Sequence, residues 1–96
     1  MDIIKKLNSV GKAVFVKYYY LFRNESNQTC VAAITEPYTL NAKQSRTSSA
    51  KAIFREGMQL QALRIISQSS KVDPLTRKQA SKIMIDEIAY YISHPI

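Results

Sequence analysis

The stretch Thr39–Gly57, TLNAKQSRTSSAKAIFREG, decides how the chain is read. At roughly 100° per residue it makes one helix with two unlike faces. Leu40, Ala42, Ala50, Ile53 and Phe54 gather on one side. Asn41, Gln44, Ser45, Ser48, Lys51 and Arg55 gather on the other. That second face is neither a Glu/Lys solvation face nor an apolar packing face. Its side chains carry the donors and acceptors that suit base edges and phosphates. Thr39 fits the N-cap, and Gly57 fits the position just past the C-terminus.

The segment before it is a second short helix, Ser26–Thr35, with Ser26 as N-cap and Cys30, Val31, Ala33 and Ile34 on its apolar side. Pro37 ends it near Glu36. Two short helices joined by Glu36-Pro37-Tyr38 make the frame of a helix-turn-helix, whose second helix enters the major groove of DNA. The usual glycine of that turn is missing, and Pro37 stands in its place. On this reading Asn41, Gln44, Ser45 and Ser48 approach bases. Lys43, Lys51 and Arg55 hold phosphates, and Arg46 serves either role, its stem lying on the core. Arg46→Ala or Lys51→Ala is then expected to weaken binding to double-stranded DNA without unfolding the chain, whereas Ile53→Ala destabilises it by ~2–5 kcal/mol.

Charge points the same way. The chain of 96 residues carries 14 Lys and Arg against 7 acids, a formal net charge of +7. Residues 1–55 hold 9 basic and 3 acidic side chains, and residues 56–96 hold 5 and 4. A basic half beside a near-neutral half suits a polyanion partner, drawn in through phosphate contacts. With 46% apolar residues, 2 Gly and 3 Pro, the expectation is one folded domain spanning 1–96 rather than a disordered chain.

Toward the N-terminus, Asp2 caps a short helix with Ile3, Ile4, Leu7 and Val10 at helical spacing and Lys5 and Lys6 opposite. Gly11 breaks it. Lys12–Asn24, KAVFVKYYYLFRN, reads two ways. Its Val, Phe and Tyr content favours a strand, which with NESNQ as a loop gives a β-hairpin over 13–35 and an α+β alternative. Strict alternation fails across Tyr18–Phe22, and Val14, Phe15, Tyr18, Leu21 and Phe22 share a helical arc, so helix is preferred. Tyr20 falls beside Lys17, off that arc.

After Gly57, Met58, Ala62, Leu63, Ile65 and Ile66 define a further helix. Asp73-Pro74 then sets an N-cap followed by proline in the first turn, starting a last helix that reaches about Ser93. Its main stripe, Ala80, Met84, Ile85, Ile88, Tyr91 and Ile92, reads as core. Ile83 and Tyr90 form a second strip that either packs or builds a dimer or partner contact. The expected architecture is an all-α bundle of about five helices with a helix-turn-helix-like centre.

Enzyme chemistry finds no footing. His94 is the single histidine and sits in the tail, Asp86 and Glu87 point in different helical directions, and no glycine-rich phosphate loop exists. Cys30 is the single cysteine, read as a small buried hydrophobe. No disulfide, zinc cage or other cofactor is expected. No segment reads as a secretion signal or a membrane span, so a cytoplasmic protein is expected. The function read from the chain is nucleic-acid binding, DNA first, in a regulatory role such as control of transcription. The alternative is a small inhibitor or adaptor that binds a protein through a basic or apolar surface.

Overall fold

The computed structural model describes residues 1–94. Among the described residues seven helices follow one another: α1 Ile3–Val10, α2 Lys12–Lys17, α3 Tyr19–Asn24, α4 Asn27–Ala33, α5 Leu40–Arg55, α6 Gln59–Ser67 and α7 Pro74–Ser93. No strand occurs among the described residues, so the all-α reading holds and the hairpin alternative over 13–35 is replaced by three short helices.

Local signals account for most of the boundaries. Asp2, Ser26, Thr39 and Asp73 each accept a hydrogen bond from the backbone N–H three residues on, satisfying donors that a helix start leaves free. Gly57, at φ 70°, turns the chain past α5 in the left-handed region. Gly11, at φ 91°, separates α1 from α2, and a Cβ there would lie 2.9 Å from Nη1 of Arg46.

The helix expected over Lys12–Asn24 is broken in two at Tyr18, whose φ of −111° and ψ of 21° leave the α region. The backbone ladder nonetheless continues across it, from Tyr18 N–H to Val14 and from Phe22 N–H to Tyr18. The tyrosine at the break and the one after it are anchored to different elements. Tyr18 donates to Glu36 Oε1 at 2.6 Å and accepts from the Thr35 N–H at 3.1 Å, holding the α4–α5 connection. Tyr19 donates to Glu87 Oε2 at 2.7 Å, holding α7.

α5 is the hub, packing against α1, α3, α4 and α6. Leu7, Val10, Phe15, Phe22, Ile34, Ile53, Leu63 and Ile66 are fully buried around it. An aromatic group lies at the centre: Phe15 and Tyr19 meet edge to face at 5.5 Å, and Phe54 sits 5.1 Å from Tyr19. Such pairs add ~0.5–1.5 kcal/mol each beyond the area they bury. Cys30 is buried, as expected, and donates to the Leu21 carbonyl at 3.1 Å; burial pushes its thiol pKa up.

The last helix packs on α6 and α2, and it corrects the sequence reading. Its inner side is Thr76, Ala80 and Glu87, with Ile83 and Met84 packed partly against the core. Ile85, Ile88 and Ile92, expected inside, are exposed. The cause is that α7 carries apolar residues on nearly every side and has neighbours on one side only. Glu87, at 1% exposure, organises the seam. It pairs with Arg23 and accepts from Tyr19, while Tyr91 lies 3.3 Å away and takes a bond from Gln59. Burial and the hydrogen bond to this carboxylate raise the Tyr19 phenol pKa far above its ordinary value. Asp86 is exposed, so the two adjacent acids do point apart.

Candidate nucleic-acid interface

The outer face of α5 is open to solvent. Asn41, Gln44, Ser45, Ser48 and Arg55 are all exposed, within about 100° of helical arc. Thr47, Ser49, Ala50 and Ile53 are buried on the inner side, and Ala52, which falls within the outer arc, between Ser48 and Arg55 along the chain, is buried as well. Leu40, placed on the apolar side by spacing alone, is exposed because it precedes the region where neighbouring helices close over α5. Burial of Thr47 and Ser49 escapes hydropathy reading, since small hydroxyl side chains look like surface residues. They fit where α5 is approached closely by other helices.

Two of the cations expected at the interface belong to the fold. Arg46 donates through Nη1 to the Val10 carbonyl at 2.7 Å, at the C-terminus of α1. Its guanidinium lies 3.9 Å from the centre of the Tyr38 ring, a cation–π contact. Lys51 donates to the Glu25 carbonyl just past α3. Both cations sit at helix C-termini, where the backbone dipole and free carbonyls favour positive charge. The cations left on α5 are Lys43, half-buried, and Arg55, exposed. No acid interrupts α5 from Leu40 to Arg55.

Between α4 and α5 runs a groove of about 740 Å³. Val31, Ala32 and Leu40 supply apolar surface, and Gln28, Lys43, Gln44 and Ser48 supply the polar rim. Thr47 also lines it, wholly buried, and its hydroxyl has no hydrogen-bond partner among the described residues. The loop Ile34–Thr39 that sets the angle between the two helices is pinned three times. Tyr18 holds Glu36 and Thr35, Lys17 pairs with Glu36 at 3.2 Å, and Arg46 covers Tyr38. The Tyr18 hydrogen bond, chiefly, keeps the Glu36 carboxyl pKa below its usual value.

Ile83 and Tyr90, the strip named for a partner, are separated by the fold. Ile83 packs against the core, whereas Tyr90 is exposed and lies over Arg23 and against the His94 ring at 4.3 Å. The free apolar surface of α7 is instead Leu75, Ile85, Ile88 and Ile92. No group of metal-ligating residues assembles among the described residues, and no helix there is long and apolar enough to cross a membrane. The chain matches no family model, no curated protein and no solved structure.

Proposed function

We propose that the protein is a small basic double-stranded-DNA-binding protein of the cytoplasm, acting as a regulator of transcription rather than as an enzyme, with the outer face of α5 as its reading surface. The observation that carries this reading is the composition of that face once folded: Asn41, Gln44, Ser45, Ser48 and Arg55 exposed on one side, with no acid along the helix. Asn and Gln can bond adenine edges, Arg can bond guanine or phosphate, and the serines can bond either. Lys43, on the groove rim, would hold a phosphate. Arg46 and Lys51 act indirectly, by fixing α5 against α1 and α3. The pinned α4–α5 loop supports the same view, because a reading helix needs a fixed angle to the element that rests on the backbone.

Fluorescence anisotropy with a labelled duplex, titrated at several salt concentrations, tests the reading. Affinity that falls steeply with salt supports phosphate neutralisation. Absence of binding even at low salt overturns it. The exposed isoleucines of α7 favour a protein contact as a second activity, on a surface distinct from α5.

A further inference from the structure

We infer that the groove between α4 and α5 is a binding site for a nucleoside monophosphate with an adenine base, its ring between the two helices and its phosphate on Lys43. Each wall is one side of a helix: Leu40, Gln44 and Thr47 along α5, Gln28, Val31 and Ala32 along α4. The space between them, about 740 Å³, is that of a small-molecule site. What calls for an occupant is Thr47. It lines the groove fully buried, and its hydroxyl has no hydrogen-bond partner among the described residues. Buried hydroxyls are as a rule bonded, and a ligand atom seated in the groove supplies the partner that the chain does not.

The other lining groups define the ligand. Asn27, Gln28 and Gln44 bring three side-chain amides to one groove, all exposed. An amide carries a donor and an acceptor side by side, which matches the paired donor and acceptor on an adenine edge. Guanine is met best by arginine on its acceptors or by a carboxylate on its N–H edge, and neither lines the groove among the described residues. Val31 on one wall and Leu40 on the other offer aliphatic surface to the two faces of the ring. A plain hydrocarbon ligand would leave the Thr47 hydroxyl as it is, whereas a ring with polar edge atoms does not.

Charge sets the rest. Lys43 is the one charged group among the described lining residues, half-buried and without an ion pair there. It stands one turn from Thr47, about 6 Å along the axis, which a sugar joining base to phosphate can span. One ammonium suits one phosphate group; a di- or triphosphate brings charge that no second cation meets. The pinned loop fixes the angle between the walls, through Tyr18 and Lys17 on Glu36, so little ordering is left to binding. Lys43, Gln44 and Ser48 also belong to the proposed DNA-reading face, so a seated nucleotide would withdraw them from DNA. That consequence rests on the α5 reading, whereas the site itself does not.

Titration of the isotope-labelled full chain with adenosine monophosphate, followed by amide NMR without DNA, tests the site. The expected result is saturable shifts confined to α4 and the first half of α5, the Asn27, Gln28 and Gln44 side chains included, with a dissociation constant on the order of 100 µM. Adenosine and guanosine monophosphate should each bind about ten-fold more weakly, and inorganic phosphate should leave these amides unmoved. Lys43→Met should lower the affinity for the monophosphate to that for adenosine and leave adenosine binding unchanged. Thr47→Val should weaken both adenine ligands about five-fold while raising the melting temperature, a pair of effects that a purely structural role does not give. Absence of shifts at millimolar adenosine monophosphate overturns the proposal. So do equal shifts with inorganic phosphate, an affinity untouched by Thr47→Val, or a single-stranded oligonucleotide that takes the groove more tightly than the monophosphate. No arm contains duplex DNA, so failure here leaves the α5 reading standing, and failure of the duplex titration leaves this site standing.

Discussion

Arg46 in the middle of α5 donates to the main-chain carbonyl of Val10, 36 positions away, at 2.7 Å. This bond ties the hub helix to the end of α1, and it passes over Gly11, where a Cβ would come within 2.9 Å of the same nitrogen. A residue that looks like a ligand contact on the helical wheel is therefore a clamp. The distinction changes what its removal should do.

Arg46→Ala is expected to destabilise the fold by about 2–3 kcal/mol, through loss of a charge-assisted hydrogen bond and of the stacking on Tyr38. Urea unfolding followed by circular dichroism measures it. Arg46→Lys should recover less than half, because an ammonium cannot both lie flat on the ring and reach the carbonyl. A stability equal to wild type in Arg46→Ala would remove the clamp from the account.

Breaking the Arg23–Glu87 pair should cost more. Glu87 is buried, and Arg23→Ala leaves its carboxylate without its cation, a loss of about 3–5 kcal/mol. The double change Arg23→Met with Glu87→Leu should recover most of that, since neither charge is then stranded. If the double variant is no more stable than Arg23→Ala, the loss comes from packing of the arginine stem and the phenol rings rather than from the charge.

Thr47→Val should stabilise the protein. The side chain is fully buried with its hydroxyl unpaired, and valine keeps the shape while removing the unpaired group, a gain of about 1 kcal/mol. Thermal melting reads it as a rise of several degrees for a domain of this size. A fall in melting temperature would mean that the hydroxyl has a partner such as a bound water.

The contrast between Arg46 and the helix caps shows how much could be read from the chain. Asp2, Ser26, Thr39 and Asp73 act on backbone three residues away, so a short window of sequence contains the whole interaction. The amphipathicity of α5 is likewise local, and its open polar face was legible. Arg46 and Lys51 bind carbonyls 36 and 26 positions distant, and nothing in their own neighbourhood announces it. The break at Tyr18 is of the same kind, accompanied by partners on α7 and the α4–α5 loop. In α7 the pattern is ambiguous rather than silent, because isoleucines occur on several faces and only the placement of α6 and α2 decides which are covered.

Acid should weaken the α4–α5 connection. The Glu36 carboxyl pKa is lowered, mainly by the Tyr18 hydroxyl, and that of Asp73 is lowered, mainly by the Thr76 side chain. A carboxylate with a depressed folded pKa contributes stability that is fully present above its unfolded value, roughly 4. That contribution is lost as pH falls through the lowered folded value. Glu36→Gln should thus lie below wild type near neutrality and converge with it in acid, as followed by melting temperature against pH. Parallel curves across the acid range would contradict the assignment.

The most direct test compares two charge-matched double variants in the salt-dependent DNA titration. Lys43→Ala with Arg55→Ala removes the cations left free on α5, and Arg64→Ala with Lys71→Ala removes the same charge from α6 and the loop after it. The account predicts that the first pair lowers the slope of log affinity against log salt by about 1.8, at about 0.9 for each phosphate no longer neutralised, while the second leaves it nearly unchanged. Equal effects from the two pairs would reduce the binding to a consequence of net charge and contradict α5 as the reading surface.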